Sequence, residues 1–305
     1  TISARHMKNI CRKAAKLTPP PAPPRIQGGE KTRRGVTSSV FMVLALMLLS
    51  ACAVTHTPTM YRVALLAPFE GRYREIGYNA LYAARMAFDY EGGDSPIWLE
   101  LMPIDDGGSV ETAILRARAL TYDPQVIGAL VLGYQAADPQ VQAAFGAIPV
   151  IIVGRWTDTR AAENVFILSS RDIHTPLDAV TAQIETPYAG GDVWMLEGAR
   201  RLRASMDGIT VVTSGTLPNA DFSGLYSDGN EFAPEPNLLA PLVRKGAFIL
   251  SAAVNARDRA VARELIRTGE YALRIDTTFG DDGYWNEAPV NRYQFESDGW
   301  VEIGS

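Results

Sequence analysis

Cysteine is nearly missing from this sequence: of 305 residues only Cys11 and Cys52 are cysteines. Both stand near the start, so no disulfide is available to the remainder of the chain, and stability there has to come from a hydrophobic core. Histidine is as scarce, and beyond Cys52 only His56 and His174 remain. No Ser-His-Asp or Cys-His arrangement can be assembled from that inventory, and no motif marks a carboxylate pair for glycoside chemistry. Asp105-Asp106 stand together without histidine or further carboxylates at metal-ligand spacing. The sequence thus calls for no enzyme, no cofactor and no metal. A run long enough to cross a membrane is lacking too. The uninterrupted apolar stretch Val40 to Leu49 is half of the roughly 20 residues a spanning helix needs. Positive charge is also thin: from Cys52 onward 20 basic residues face 33 acidic ones, a net charge of -13. Such a surface argues against nucleic acid as a partner, because binding it relies on clustered Lys and Arg.

The surroundings of Val40–Leu49 have a recognisable order. Lys31, Arg33 and Arg34 precede it, and small residues come after it; positive, apolar, small is the pattern of a secretory signal. Leu49-Ser50-Ala51-Cys52 resembles the bacterial lipobox, whose cysteine thiol takes a diacylglyceryl group. A short buried helix with a core cysteine is the alternative. Upstream, "LTPPPAPPRIQGGE" is too rich in Pro and Gly to build a core. The expected layout is therefore a leader over 1–51 and a lipidated tether over 52–60. The protein is expected outside the cytoplasm, lipid-anchored to a membrane or in the periplasm.

Beyond the tether, strands and helices alternate. "YRVALLAPF" (Tyr61–Phe69) reads as a strand, and "NALYAARMAFDYE" (Asn79–Glu91) has apolar residues at helical spacing. "IWLELMPIDD" is a second strand, followed by a helix that Ser109 can cap. "VIGALVLG" is a third strand whose lack of polar alternation suits burial on both faces. Asp138-Pro139 gives an N-cap and a first-turn proline for a helix running to Phe145, and "IPVIIVG" is a fourth strand. This alternation predicts a parallel sheet covered by helices. Ligands bind such sheets at the carboxyl ends of the strands. That singles out four loops: Glu70–Ile76, Asp105–Gly108, Tyr134–Ala137 and Arg155–Thr159.

The second half is less regular. "NVFIL", "DVWML" and "ITVVTSG" read as strands, with weak helices over Pro176–Ile184 and Glu197–Met206. Two helices broken near Asn255 come next, between Pro236 and Thr268. The end reads as a hairpin, "VNRYQFE" and "WVEIG" about a Ser297-Asp298-Gly299 turn.

Several of these pieces, in this order, resemble the type I periplasmic binding proteins, in particular the receptors for leucine, isoleucine and valine. They are "VALLAPFEGRYREIGYNALYAARMAFD", "LELMPIDDGGSVETAILRARAL", "DPQVIGALVLG" and "AAFGAIPVIIVG". "NVFILSSRD" looks like the crossover into a second lobe, and "GITVVTSGTLP", "FAPEPNLLA" and "FGDDGYWNEAPVNRYQFESDGWVEIG" look like the last third. The resemblance implies an α/β fold of parallel sheets flanked by helices, with one near-complete lobe and a truncated second one. The first lobe would be 61–158 and 216–280, the second 159–215 and 281–305. Only Ser169 to Asp207 stand where the family usually carries most of its second lobe.

By the same resemblance the protein binds a small amino-acid-like ligand and hands it to an ABC permease. The alternative is a family member that has become an interaction or sensing lipoprotein. Where the family has small hydroxyl residues after its third and fourth strands, this chain has Tyr134-Gln135 and Gly154-Arg155-Trp156-Thr157. Arg155 at a strand end can grip a carboxylate and Trp156 can cover an apolar group; a salt-bridged loop arginine beside a packing tryptophan is the other reading. Tyr73, Tyr134 and Gln135 are candidates by the same strand-end rule. Glu197 can face an ammonium group or simply start a helix.

Overall fold

The computed structural model describes residues 59–89, 97–173, 210–228, 232–254, 256–271, 276–297 and 299–304, all within one compact unit, Thr57–Ser305. The leader, Cys52, "DVWML", the two weak helices on either side of it, and Glu197 lie outside the described residues.

Five parallel strands form the main sheet: β1 (Thr59–Ala67), β2 (Ile97–Asp105), β3 (Val126–Val131), β4 (Val150–Val153) and β5 (Val165–Leu168), in the order β2-β1-β3-β4-β5. β3 is buried at all six positions. Since side chains alternate in direction along a strand, burial of every one means that both faces of the sheet are covered. One helix group contains α1 (Arg74–Asp89), α5 (Ala240–Val254) and α6 (Arg259–Thr268); the other contains α2 (Val110–Thr121) and α3 (Pro139–Ala144). α4 (Ala220–Ser227) packs on α1 through Phe222 and Tyr226. The Tyr226 hydroxyl, fully buried, donates to Asn79 Oδ1 at 3.1 Å.

Local chemistry sets the helix ends. Ser109 Oγ accepts from the Thr112 amide, Asp138 from the Gln140 amide with Pro139 at the first turn, and Asp258 from the Ala260 and Val261 amides. Each such cap satisfies one or two of the four backbone donors that a helix start leaves unpaired. α5 lies against β3 because Gly128 leaves room: a Cβ there would stand 2.6 Å from Leu250 Cδ2.

A second sheet is antiparallel, with β6 (Thr210–Thr213), β7 (Asn291–Glu296) and β8 (Gly299–Gly304) in the order β6-β7-β8. Two boundaries differ from the sequence reading. Thr59 and Met60, assigned to the tether, pair with Ile97 and Trp98 as the start of β1. There Arg62 adds ion pairs to Glu100 and Asp123. β5, placed with the second lobe as part of 159–215, is hydrogen-bonded to β4 in the first sheet. The passage from one sheet to the other therefore begins after Leu168. Among the described residues, no helix is long and apolar enough to cross a membrane.

Candidate functional site

The strand order reverses at β1: β2 lies on one side of it and β3 on the other. In open α/β sheets that reversal leaves a crevice beyond the carboxyl ends of the two strands. Here that rule points to the segment after β1, Pro68 to Tyr73, and the segment after β3, Gly133 to Gln135. Asp105, at the end of β2, shapes the first of these. Its Oδ1 accepts from the Phe69 and Glu70 amides at 2.6 and 3.1 Å, and its Oδ2 from the Gly107 amide at 2.9 Å. Asp106 does something different. It is fully buried, its Oδ1 accepts from the Gly108 amide at 2.8 Å, and its Oδ2 has no hydrogen-bond partner among the described residues. Burial pushes this carboxyl above the usual range, against the Gly108 hydrogen bond, which lowers it. Among the described residues no group of three His, Cys, Asp or Glu side chains is placed to hold a metal ion.

The Asp106 geometry sets a pH dependence. Because the folded-state pKa is raised, the folded protein holds this proton more tightly than the unfolded chain. Stability is then lost as pH climbs from the ordinary carboxylate value through the folded one, and the loss is complete above it. Asp106→Asn keeps an oxygen for Gly108 and carries no charge. It is expected to stabilise the protein by about 1–2 kcal/mol at pH 7 and to have much less effect near pH 3. Urea unfolding at the two pH values measures this. A loss of stability equal at both would show that the carboxylate is needed for packing alone.

The predicted site residues fall into two groups. Tyr73 ends a short 3-10 turn, Gly71–Tyr73, and is half-buried. Tyr134 and Gln135 are half-buried just beyond β3. The Tyr134 ring meets the Trp156 ring edge to face at 5.1 Å, while Trp156 Nε1 donates to the Val153 carbonyl at 2.8 Å. Arg155 and Trp156 are each only 3% exposed. The Arg155 guanidinium pairs with Asp158 at 2.6 Å, reaches the Ser170 carbonyl at 3.5 Å, and lies 4.5 Å from the centre of the Tyr284 ring. The Tyr284 hydroxyl in turn donates to the Asp158 carbonyl at 3.3 Å. The structure thus brings Tyr134, Arg155 and Trp156 to one end of the sheet and sets Tyr73 on the neighbouring loop. Of the two roles weighed for Arg155, its geometry is that of the salt-bridged loop arginine, turned inward by Asp158 and Tyr284. Tyr284 was missed because it comes 129 positions after Arg155 in the sequence, with no local pattern linking the two.

No protein-family model and no curated protein sequence matches the chain. Solved structures do. A possible leucine/isoleucine/valine-binding protein from Rhodopirellula baltica aligns with a TM-score of 0.60 and 13% identity, over 83% of this chain and 98% of that one. A solute-binding protein of an ABC transporter from R. palustris, in complex with benzoate, aligns at 0.57 and 15%, over 80% and 96%. A periplasmic binding protein type 1 from Bordetella pertussis aligns at 0.55 and 15%, over 81% and 100%. The chain has the type I periplasmic-binding-protein fold.

In this type I fold the passages between the two sheets come together beside the strand-end loops. The Ser170 amide donates to Ser214 Oγ at 2.8 Å, and the Ser214 hydroxyl donates to the Pro289 carbonyl at 2.8 Å. Asn291 Nδ2 donates to the Gly215 carbonyl at 2.9 Å. One serine hydroxyl therefore ties together the segments after β5, after β6 and before β7. Gly283 to Trp285 add a further rung: the Ile167 amide donates to the Gly283 carbonyl and the Trp285 amide to the Ile167 carbonyl. This type I chain holds its junction through short contacts, each with a backbone group on at least one side.

Proposed function

We propose that this chain is a solute-binding protein outside the cytoplasm, anchored by a lipid on Cys52, that delivers a small amino-acid-like ligand to an ABC permease. It acts as a binding protein, without catalysis. The observation that carries the reading is the reversal of strand order at β1/β3, in a fold whose solved neighbours are solute-binding proteins. Tyr73, Tyr134 and Gln135 contact the ligand, and Arg155 and Trp156 form the wall behind them. Glu197 supplies a carboxylate from a shortened second lobe that begins after Leu168 and takes in 169–215 and 281–305, the first lobe being 59–168 and 216–280.

A thermal-shift screen of amino acids, short peptides, small acids and sugars tests this. A ligand at 100 times its dissociation constant adds about 2.7 kcal/mol, a rise of roughly 5–11 °C in melting temperature for a domain of this size. Gln135→Ala is expected to reduce that rise, with the melting temperature of the free protein unchanged. Cys52→Ala should move the protein from the membrane fraction to the soluble one. The inward engagement of Arg155 and Trp156 favours a second reading, an interaction or sensing lipoprotein that keeps the fold and takes a protein partner. A cooperative melt that no compound moves, together with retention of a protein partner, would decide for it.

A further inference from the structure

A recess lies among the described residues where the first turns of α5 meet the junction. It has a volume of about 860 Å³ and is open on one side. Its wall includes Ser214, Lys245, Asp276, Thr277, Trp285 and Glu287, and none of Tyr73, Tyr134, Gln135, Arg155 or Trp156. That volume is within the range of small-molecule sites.

Three features of this recess point to a ligand. Thr277 is only 2% exposed, yet its hydroxyl oxygen has no hydrogen-bond partner among the described residues. A buried hydroxyl left so is costly unless something else satisfies it. Lys245, one turn into α5, holds its ammonium 3.9 Å from the centre of the Trp285 ring, with no carboxylate within 4.0 Å among the described residues. Burial lowers the Lys245 pKa and Asp276 opposes that shift, so an anion arriving beside the ammonium would stabilise its charged form. The first turn of α5 carries no acidic residue, so the positive end of its helix dipole meets only a neutral cap, Asn237 Oδ1, which accepts from the Leu239 and Ala240 amides. At the rim the sign changes, because Asp276 and Glu287 are both exposed.

We propose that this recess binds a small zwitterion, its carboxylate between Lys245 and the Thr277 hydroxyl and its ammonium group at Asp276 and Glu287. The site is separate from the strand-end crevice and stands whether or not that crevice holds a ligand. The full chain, labelled with 15N-tryptophan, provides the test, with the Trp285 indole signal assigned through Trp285→Phe. Glycine, β-alanine and 4-aminobutyrate, which differ in charge separation, are added at about 10 mM, enough to populate a site of millimolar affinity. Acetate and methylammonium serve as the two halves. At least one zwitterion is expected to shift the Trp285 indole saturably while the Trp156 indole stays in place, and each half should bind at least roughly tenfold more weakly. By calorimetric titration, Lys245→Met should weaken binding at least roughly tenfold. Thr277→Val should weaken it severalfold, with the melting temperature of the free protein preserved or raised, since the unpaired hydroxyl is gone. Failure of all three zwitterions to move Trp285 overturns the proposal. So does binding that survives both substitutions, or a shift confined to Trp156, which would place the ligand in the strand-end crevice instead.

Discussion

Phe166→Ala is expected to lower the free energy of unfolding by about 4 kcal/mol, in the range for removing a fully buried aromatic side chain. Phe166 lies in β5 with no exposed surface, and its ring centre is 5.0 Å from that of Phe279. The Arg160 guanidinium stands 6.0 Å over the same ring while donating to the carbonyls of Glu163, Val165 and Asp281. Removal of the ring therefore hollows the sheet edge and takes the floor from beneath that clasp. Collapse into the hole is restricted, because β5 is hydrogen-bonded to β4 on one side and to Gly283–Trp285 on the other. Urea titration measures the loss as a lower midpoint at constant slope. A loss below about 2 kcal/mol would show that the segment carrying Phe279 moves in to fill the space.

Gly215→Ala is the second large effect, with an expected loss of about 3 kcal/mol. A Cβ on Gly215 would stand 2.2 Å from the Leu238 carbonyl oxygen and 3.1 Å from Leu239 Cδ2. The first of these neighbours is main chain, so no rotamer change relieves the clash. Nor can Gly215 retreat easily, since its own carbonyl holds Asn291 Nδ2 at 2.9 Å. Gly224 is the control. It lies inside α4, and nothing stands within 4 Å of a Cβ built there, so Gly224→Ala should gain roughly 0.5–1 kcal/mol from helix propensity alone. Comparison of the two urea midpoints separates contact from composition. If Gly215→Ala were as mild as Gly224→Ala, the junction would have to be far more yielding than its hydrogen bonds imply.

How far the sequence discloses such features depends on their range. The caps at Ser109 and Asp138, and the break between α5 and α6 near Asn255, are legible because donor and acceptor lie within a few residues. The parallel first sheet is legible because a strand buried on both faces has to be apolar throughout, as "VIGALV" is. α4 escaped notice: "ADFSGLYS" has a central glycine and two serines, so its propensity is weak. It is held by the Asn219 cap and by burial of Phe222 and Tyr226 against α1, which only the fold provides. "NVFIL" could be read as a strand, but its sheet could not, since a register with β4 leaves no mark on β5 alone. The site shows the same limit. A strand end places Arg155 near the crevice, whereas the direction of its side chain is set by Tyr284 and Ser170. The Lys245–Trp285 contact and the Thr277 hydroxyl also lie far apart in the sequence from the elements that surround them.

The rung formed by Gly283–Trp285 on β5 has a consequence for association between molecules. A sheet edge with free N–H and C=O groups is a template on which another chain can build. Among the described residues, that rung covers the β5 flank of the main sheet. The opposite flank, β2, carries Pro103 at the position paired with Leu65. Proline has no N–H to offer, which is why it is confined to edges within sheets, and Glu100 adds an exposed charge nearby. One flank is thus capped by the protein's own returning chain, and the other is spoiled for pairing by a residue that cannot donate. Growth of this sheet from one molecule into the next is obstructed at both ends.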